Sequence, residues 1–508
     1  MLADTRVLWL VAILGLVLAG YLGDRGDRKG NKEVILGDCS WWWRRLWFWT
    51  RWFQDMAEMT MEGYEKFSKS DRLWATWMFD SLVYVLPAKY IDEVKGGSRS
   101  KLSTLHRVDE HLQWSLHTGN LLDDGSFVTS ITKHLNPKLP QMTEYISDIV
   151  QEAINFRLGP GSNSRWRHVN LSAAMMDISM RLTAVMWMGP KLGLSEEYRT
   201  HSDAYINTAV EWPAILFSAP SWSRKALFWA CPSGRKIRYH LQKLKETLAP
   251  ELLRRLHSEK SNEPFSLTDG LLPPAEDPQR EAKVDQAIER IQFITFAAAP
   301  LIALITNQFL LTAMGYPDVA DVLREEMRTA IAQNGGLNEK AVADMPKLDS
   351  FLRETLRLSP PQSLTMTRRV MQDFRLSNGF VLKEGVSIGV PTRGILRDPN
   401  NYDNPLTFDP LRFYNATENK PIVSSATMSQ KYPVFGYGTY SCPGRYYGIL
   451  VSKLCLAELL LNWEVKFMPE RSGKPVDCAI NAMTMPNVDT FIAFRKNRNY
   501  SRGFHERY

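Results

Sequence analysis

The sequence is poor in cysteine and contains no paired cysteine motif. Its 508 residues include five cysteines, an odd number, and no two of them form a CxxC pair. Disulfide scaffolds and cysteine-based zinc sites need several cysteines at short, regular spacings, so both are poor explanations for this chain. The pattern indicates that one cysteine has a special chemical role, among Cys39, Cys231, Cys442, Cys455 and Cys478.

The sequence also lacks a long basic run. Lys and Arg outnumber Asp and Glu by 62 to 55, a formal charge of +7, and the excess is spread along the chain. Nucleic-acid-binding proteins usually concentrate such charge in a patch or stripe. We therefore expect no nucleic-acid partner, because a mild and diffuse basic excess fits a membrane surface or an acidic protein partner better.

Internal repeats and long linkers are missing as well. No polar stretch is long enough to separate two independent domains, and no repeated segment is present. Hydrophobic residues make up 44% of the chain, enough for a large buried core. The sequence predicts one catalytic domain over residues 56–508, preceded by two short segments that associate with a membrane.

The first short segment, residues 1–24, is a candidate transmembrane anchor. The run from Val7 to Leu22 contains only apolar residues and glycine, and as a helix it crosses a bilayer core of about 30 Å if nearly all of it is used. A cleaved signal peptide is the alternative, but only Arg6 and the amino terminus supply positive charge before the run. The basic residues that follow it, and that place the rest of the protein on the cytosolic side, are Arg25, Arg28, Lys29 and Lys32.

The second segment, residues 25–55, is rich in tryptophan and arginine. Trp41 to Phe53 contains six tryptophans and three arginines, residue types that favour the lipid headgroup layer. An ordinary aromatic packing segment is the alternative interpretation. The nearby candidate anchor favours a linker that lies on the membrane surface.

Hydrophobic periodicity predicts mainly helices from about residue 55 to 300, and strand signals are concentrated late in the chain. Residues 142–156 and 171–189 have helical patterns, and the second ends at the helix-stop pair Gly189-Pro190. Residues 284–315 predict one long, increasingly apolar core helix with Pro300 inside it. Residues 374–391 alternate polar and apolar residues around Asn378-Gly379, which predicts a hairpin.

The segment FGYGTYSCPGRYYG (435–448) is the strongest functional signal. Its glycines allow backbone N–H groups to approach the sulfur of Cys442 closely, and a helix follows whose amino-terminal dipole favours a thiolate. A thiolate presented in this way suits a soft metal such as haem iron. A buried inert cysteine is the alternative, but it requires neither the glycines nor Phe435.

With two further motifs, this segment resembles the cytochrome P450 family. Phe435, Gly438, Cys442 and Gly444 match the haem-binding signature, and Glu354-Thr-Leu-Arg357 matches the ExxR motif. TFDPLRFY (407–414) matches the segment before the haem loop, and its Arg412 is expected to complete a buried network with the Glu and Arg of ExxR. The resemblance covers essentially the whole chain and looks closest to fungal membrane-anchored P450s of natural-product biosynthesis. It implies an α+β, mainly α fold, a helix-rich prism with small β-sheets, on an N-terminal transmembrane helix.

The resemblance also implies a cofactor, partners and a location. Haem b would be held by Cys442 as the axial iron ligand, and NADPH would supply electrons through NADPH-cytochrome P450 reductase, which would dock on a basic face with Lys453 as a candidate member. The substrate would be a hydrophobic small molecule, and the protein a single-pass protein of the endoplasmic reticulum membrane with its catalytic domain in the cytosol. The haem-binding positions would be Phe435, Gly436, Gly438, Tyr440, Gly444 and Arg368, the last of them on a propionate. The substrate-contacting segments would be residues 110–127, 205–230, 293–301, 362–367 and 483–485.

The sequence departs from the family pattern at two places. Tyr440 stands where the family usually has His or Arg for a haem propionate; its hydroxyl can donate one hydrogen bond but brings no charge. In the central helix, Pro300 and Leu301 occupy the catalytic positions of the oxygen-activating acid and threonine, and no residue in 296–304 is polar. Pro300 also lacks an N–H, which frees the carbonyl of Phe296 to accept a hydrogen bond from water or substrate.

Three functional hypotheses follow from these departures. The first is a monooxygenase that oxidises a secondary metabolite of terpenoid or polyketide type, with protons from the substrate or ordered water. The second is an atypical P450 that catalyses rearrangement, dehydration or ring formation. The third is a catalytically weak haem-binding or ligand-binding protein.

Overall fold

The computed structural model describes most of the chain after residue 55. The described residues are 35–36, 56–78, 81–98, 100–119, 125–159, 166–217, 223–257, 265–274, 276–468, 474–480 and 482–497. The predicted anchor and nearly all of the predicted tryptophan-rich linker lie outside these residues.

Helices form most of the described structure. Eight helices of 13 residues or more occur in the described ranges: α1 (Thr143–Leu158), α2 (Leu171–Met188), α3 (Glu196–Phe217), α4 (Pro232–His257), α5 (Val284–Gly315), α6 (Pro317–Asn334), α7 (Pro346–Leu358) and α8 (Arg445–Asn462). Residues 56–66 are also helical, and shorter α-helices cover Ile91–Val94, Thr104–Leu112, Ser115–Thr118, Ser126–Ser130, Pro190–Gly193, Arg224–Ala230, Glu339–Ala343 and Thr392–Ile395. Single turns of other helix types cover Ser68–Ser70, Ala88–Tyr90, Ile131–Leu135, Asn136–Lys138 and Leu267–Gly270.

The strands are short and form small sheets. They are β1 (Ile35–Leu36), β2 (Trp74–Met78), β3 (Ser81–Val85), β4 (Leu102–Ser103), β5 (Arg167–Asn170), β6 (Thr365–Val370), β7 (Phe374–Arg375), β8 (Val381–Leu382), β9 (Ser387–Val390), β10 (Tyr414–Asn415), β11 (Lys420–Pro421), β12 (Trp463–Phe467), β13 (Cys478–Ile480), β14 (Met483–Met485) and β15 (Phe491–Lys496). The largest sheet has the order β1-β2-β3-β9-β6-β4, and a second has the order β12-β15-β5. Three two-stranded ribbons complete the set: β7-β8, β10-β11 and β13-β14.

Several local predictions are confirmed. Helix α2 ends at Gly189, whose φ of 78° lies in the left-handed region that glycine favours. The hairpin around Asn378-Gly379 forms, with β7 and β8 paired antiparallel and Gly379 at a φ of 86°. The mainly helical α+β architecture is as the sequence predicts, but the strands are not confined to the late part of the chain. Strands β1 to β5 precede residue 171, and four of them belong to the largest sheet.

Helix α5 is the central helix of the fold. It packs against α2, α4 and α8, and most of its residues are buried because the sequence is apolar on nearly every face. In the described part of the chain it is the one helix long and apolar enough to span a membrane, but 67% of its most apolar window is buried inside the protein. It therefore serves here as the core helix against which the functional site is built.

Candidate functional site

The loop before α8 is folded around its glycines. Gly436 and Gly438 have φ values of 77° and 82°, a backbone conformation that is costly for residues with a Cβ. The N–H of Cys442 donates to the carbonyl of Phe435 at 2.8 Å, which closes the loop across seven residues. Gly438 is also crowded, because a Cβ at this position would lie 2.5 Å from the carbonyl oxygen of Lys95.

We expect Gly438→Ala to disrupt the loop. The substitution combines a left-handed φ, which costs about 1–2 kcal/mol for an L-residue, with a clash against a backbone atom that cannot move aside cheaply. Gly335→Ala is the matched control, because Gly335 has a φ of 71° but nothing lies within 4 Å of its Cβ position. Haem content and the melting temperature of the purified protein measure the difference. Equal losses in the two variants would contradict the role of the Lys95 contact.

The Cys442 thiol lies at the amino terminus of α8. Burial raises the pKa of the Cys442 thiol above its usual value, while the backbone N–H groups of Gly444 and Arg445 act in the opposite direction by favouring the thiolate. The side chain nevertheless keeps accessible surface, as expected for a group that faces an internal cavity. A thiol with amide donors on one side and an open side needs a cation to ionise it, and a bound metal supplies that cation.

A segment of residues 94–97, which we call the carbonyl strap, holds the other side of the loop. The carbonyl of Lys95 accepts from the N–H of Thr439 at 3.1 Å. The carbonyl of Gly97 accepts from the hydroxyl of Tyr440 at 3.0 Å. The carbonyl of Val94 accepts from the guanidinium of Arg368 on β6. Two backbone acceptors from an early part of the chain therefore fasten the late cysteine loop, and a third holds Arg368 beside it.

Arg368 has the surroundings of an anion-binding residue. It is 1% exposed, its Nε has no hydrogen-bond partner among the described residues, and its guanidinium lies 4.7 Å from the centre of the Tyr440 ring. Burial lowers its pKa to about 10, and the Tyr440 side chain acts in the opposite direction. A buried cation with an unused donor fits a carboxylate ligand, and together with the Cys442 site it fits an iron porphyrin with propionate groups.

Tyr440 is placed differently from its expected role as a direct donor to a propionate. Its only hydroxyl proton is used on the Gly97 carbonyl, and its ring packs against Arg368. The side chain therefore positions the loop and the neighbouring cation. Its distance along the chain from Gly97, more than 300 residues, explains why the local sequence did not indicate this contact.

Glu354, Arg357 and Arg412 form a buried ionic network below the loop. Arg357 makes a bidentate pair with Glu354 at 2.7 and 2.8 Å, and both side chains are fully buried. The Nε of Arg412 adds contacts of 3.1 and 3.2 Å to the same carboxylate. Arg357 also donates to the carbonyls of Leu396 and Pro405, so the structure brings the three predicted network residues together and ties them to the segment before the cysteine loop.

Lys453 does not lie on an exposed docking face. Its side chain is largely buried and its Nζ is 2.6 Å from a carboxylate oxygen of Asp349. The sequence pattern placed a basic residue on α8, but the i,i+4 periodicity of that helix turns this position inward toward α7. The expectation that Lys453 contributes to a reductase-docking surface is therefore wrong.

The segment around Pro300 and Leu301 remains helical and borders open space. Helix α5 runs without interruption through Pro300. Phe296, Ala298, Pro300 and Leu301 are partly exposed and Ala297 is exposed, although this is the middle of a core helix. One face of α5 therefore borders a cavity, and as the sequence predicts, no polar side chain lies on it between residues 296 and 304.

The two threonines of α5 nearest to Leu301 make hydrogen bonds away from this open face. The hydroxyl of Thr295 donates to the carbonyl of Ile291 at 2.8 Å, within its own helix. The hydroxyl of Thr306 lies 3.0 Å from that of Ser452 on α8. Neither replaces the hydroxyl that Leu301 lacks.

Helix α8 brings the cysteine loop against the same part of α5. A Cβ built on Gly448, four residues after the loop ends, would lie 4.0 Å from side-chain atoms of Ile302 and Ile305. Because α8 starts at Arg445, this contact fixes the amino terminus of α8 beside the turn of α5 that follows Leu301. The contact between α8 and α5 therefore fixes the position of the Cys442 thiol relative to the open face of α5.

Predicted substrate-contacting segments meet in an aromatic cluster. The ring centre of Trp114 lies 5.0 Å from that of Phe296 and 5.2 Å from that of Phe293, both on α5. His117 stacks on Phe228 at 5.4 Å, and burial lowers its pKa to about 3, so its imidazole is neutral near pH 7. These aromatic rings form an apolar wall at the end of the cavity-facing part of α5.

Sequence reasoning missed the contacts that fasten this site from a distance. They include the carbonyl strap, the side chain of Asn136, which donates to the carbonyl of Pro443 at 3.0 Å, and the hydroxyl of Ser179, which donates to the carbonyl of Ala299 at 2.8 Å. Backbone carbonyls carry no residue-type signal, so a single sequence could not have indicated these pairings.

Comparisons with known proteins agree with this geometry. The family model described as Cytochrome P450 matches residues 40–494. The chain is 29% identical to cytochrome P450 monooxygenase verB of Clonostachys rogersoniana, over 93% of this chain and 95% of that protein. It is 27% identical to cytochrome P450 monooxygenase sirB of Leptosphaeria maculans over 85% of each, and 25% identical to an ent-kaurene oxidase of Fusarium fujikuroi over 86% of this chain and 82% of that protein. Among solved structures, retinoic acid bound cyanobacterial CYP120A1 superposes with a TM-score of 0.65 at 18% identity, covering 88% of this chain and 96% of that one.

Proposed function

The chain belongs to the cytochrome P450 family, and from this premise we propose that it oxidises a hydrophobic secondary metabolite with O₂ and with electrons from NADPH-cytochrome P450 reductase. The family makes it an oxidoreductase of the P450 monooxygenase type with a haem iron cofactor. The observation that carries the proposal is the closed loop that presents Cys442 before α8, in which the N–H of Cys442 donates to the carbonyl of Phe435 and two glycines take positive φ values. When bound, haem b supplies the redox chemistry and the activation of oxygen.

The residues around the loop support the proposed haem site. Cys442 would provide the thiolate that binds the haem iron, and Arg368, whose Nε has no partner among the described residues, would pair with a propionate. Phe435, Gly436, Gly438 and Gly444 would shape the loop under the haem. Tyr440 would position Arg368 with its ring and would tie the loop to the carbonyl strap with its hydroxyl. The network of Glu354, Arg357 and Arg412 would hold the underlying chain.

The reductase partner is supported by exposed cations next to the loop. Asn136, whose side chain donates to the carbonyl of Pro443, is flanked by the exposed side chains of Lys133 and Lys138. Positive charge beside the thiolate end of the site suits docking of an acidic electron donor. These two lysines replace Lys453 as the proposed contributors to the docking surface.

The substrate class is supported by the walls of the site and by the name of one relative. The open face of α5 and the aromatic cluster of Trp114 and Phe296 are apolar, which favours a hydrophobic scaffold. A relative named as an ent-kaurene oxidase supports a terpenoid type, and a polyketide type is the other scaffold that fits such walls. Pro300 and Leu301 offer no side-chain proton, so the substrate or ordered water would supply it.

The lack of a side-chain proton donor at Pro300 and Leu301 also favours a second candidate function, an atypical P450 reaction such as rearrangement, dehydration or ring formation. Turnover of the pathway substrate with NADPH and reductase, compared with turnover without either, separates the two candidates. Monooxygenation requires O₂ and electrons, so we expect product only in the complete system. Product formed without O₂ would overturn the first candidate, and no product under any electron supply would indicate a ligand-binding protein.

We expect Leu301→Thr to increase NADPH oxidation that does not lead to product. A hydroxyl at this position adds a proton donor to a cavity whose protons are proposed to arrive by another route, so hydrogen peroxide release should rise by about threefold or more while product formation stays constant. Leu304→Thr, one turn further along α5, is the matched control. A higher product yield per NADPH in Leu301→Thr would show that the missing alcohol limits the native reaction.

We also propose that residues 1–24 anchor the protein in the endoplasmic reticulum membrane, with residues 25–55 on its surface and residues 56–508 in the cytosol. The apolar run from Val7 to Leu22 and the basic residues after it support this arrangement. The full chain should remain with membranes after a carbonate wash. Its release into the supernatant would contradict the anchor.

A further inference from the structure

A buried hydrogen bond joins α2 to the central helix α5 at the segment that contains Pro300 and Leu301. Ser179, in the middle of α2, points its hydroxyl at α5 and donates to the carbonyl of Ala299 at 2.8 Å. Ser179 is 2% exposed and Ala299 is fully buried. The accepting carbonyl belongs to the peptide bond that joins Ala299 to Pro300, so the contact acts at the position where the sequence departs from its family.

The nearby buried hydroxyls of Thr183 and Thr295 do not make this kind of contact. Thr183, one turn after Ser179 on α2, donates back to the carbonyls of Ser179 and Met180 in its own helix, and Thr295 likewise donates to Ile291. Such back-bonding is the usual behaviour of a hydroxyl in a helix. The hydroxyl of Ser179 instead joins α2 to α5. The carbonyl that it contacts, that of Ala299, is also an acceptor position for the backbone hydrogen bonds of α5.

Two carbonyls of α5 depart from the regular helical pattern at this point. Pro300 has no N–H, so it cannot donate to the carbonyl of Phe296. The carbonyl of Ala299 accepts from the hydroxyl of Ser179, although in a regular helix it accepts from the N–H of Ala303, and a side chain that enters the hydrogen-bond ladder in this way is a known cause of helix bending. Both carbonyls lie on the helical turn where Ala297 is exposed.

We propose that Ser179 is a positioning residue that holds α5 open at Pro300, so that the carbonyl of Phe296 stays available to a water molecule or a substrate hydroxyl in the cavity. The bond from α2 pulls the Ala299–Pro300 peptide away from the cavity, while Pro300 leaves the preceding carbonyl unused. An ordered donor on that carbonyl takes the place of the side-chain alcohol missing at Leu301. The inference rests on the proposed function, because it specifies how the monooxygenase would position its proton source.

Hydrogen exchange of the haem-loaded protein tests the geometry without any turnover. In Ser179→Ala the carbonyl of Ala299 is left to the N–H of Ala303 alone, so exchange in a peptide spanning residues 300–305 should slow by about threefold or more relative to residues 307–313 of the same helix. If Ser179 only stabilised the packing, Ser179→Ala would instead speed up exchange at residues 300–305, because loss of a buried hydrogen bond loosens its surroundings. Thr183→Val is the matched control, since the hydroxyl that it removes is buried on the same helix and donates within α2 rather than to α5.

Product formed per NADPH oxidised tests the consequence for catalysis. We expect Ser179→Ala to lower this ratio by up to about tenfold, the equivalent of one hydrogen bond, with Thr183→Val unchanged and Ser179→Thr, which keeps a hydroxyl, closest to the native protein. Faster exchange at residues 300–305 in Ser179→Ala, or equal coupling losses in Ser179→Ala and Thr183→Val, would overturn the positioning role. If the native protein itself forms no product with reductase and NADPH, the proposed function fails, while the sign of the exchange change still decides the role of Ser179.

Discussion

Replacing Cys442 with serine is expected to abolish thiolate ligation and, with it, turnover. A serine hydroxyl in a buried site does not ionise, and a neutral oxygen is a much weaker donor of electron density to iron than a thiolate. The reduced protein with CO should therefore lose the absorption band that marks a thiolate-ligated haem, and product formation should fall by about a thousandfold or more. Difference spectroscopy and a turnover assay measure the two effects.

Cys455 provides the control for this experiment. It lies on α8, eleven positions from the end of the cysteine loop, and is buried, with a pKa raised to about 12 by burial. A thiol with that pKa stays protonated and has no access to the cavity, so Cys455→Ser should keep the thiolate band. Persistence of the band in Cys442→Ser, or its loss in Cys455→Ser alone, would overturn the assignment of the ligand.

Glu354→Gln is expected to be the most destabilising single change among the charged residues discussed. It removes the only carboxylate from the network and leaves Arg357 fully buried without an opposite charge. Breaking a buried ion pair in this way costs about 3–5 kcal/mol, a large fraction of the stability of an ordinary domain. Chemical denaturation and the fraction of protein purified with haem measure the loss.

An exposed ion pair supplies the comparison. Lys383 and Asp373 are 2.7 Å apart but both lie largely in solvent, so Asp373→Asn should lower the free energy of unfolding far less than Glu354→Gln does. Arg357→Lys should fall between the two, because it keeps the charge but not the bidentate geometry seen at 2.7 and 2.8 Å. A loss of less than 1 kcal/mol in Glu354→Gln would show that solvent reaches the network and would refute its role as a buried support.

Features set by short stretches of sequence could be predicted. The helical period of residues 284–315 predicts α5, and the structure places it at Val284–Gly315. The hairpin at Asn378-Gly379 follows from the turn preference of that pair. Glu354 and Arg357 are three residues apart on one helix, so their contact is a local property. The glycines of the cysteine loop indicate its left-handed turns for the same reason.

Features that depend on the position of distant segments could not be predicted. The sequence predicts a surface cation at Lys453, but the packing of α8 against α7 pairs it with Asp349. The sequence predicts that the Tyr440 hydroxyl is free for a ligand, but it donates to the carbonyl of Gly97 in the strap. The parallel pairing of β3 with β9 joins segments far apart in the chain. In each case the deciding partner is a surface or a backbone carbonyl that leaves no pattern near the residue concerned.

The carbonyl strap has a consequence for the order in which the protein matures. Tyr440 and Gly97 are 343 positions apart, and contacts of such sequence separation form late because a long loop must close first. The cysteine loop emerges from the ribosome after the strap and after strands β6 and β9, which complete the largest sheet. We therefore expect cofactor capture to follow the folding of that sheet, and haem supply rather than chain folding to limit the yield of active protein in cells.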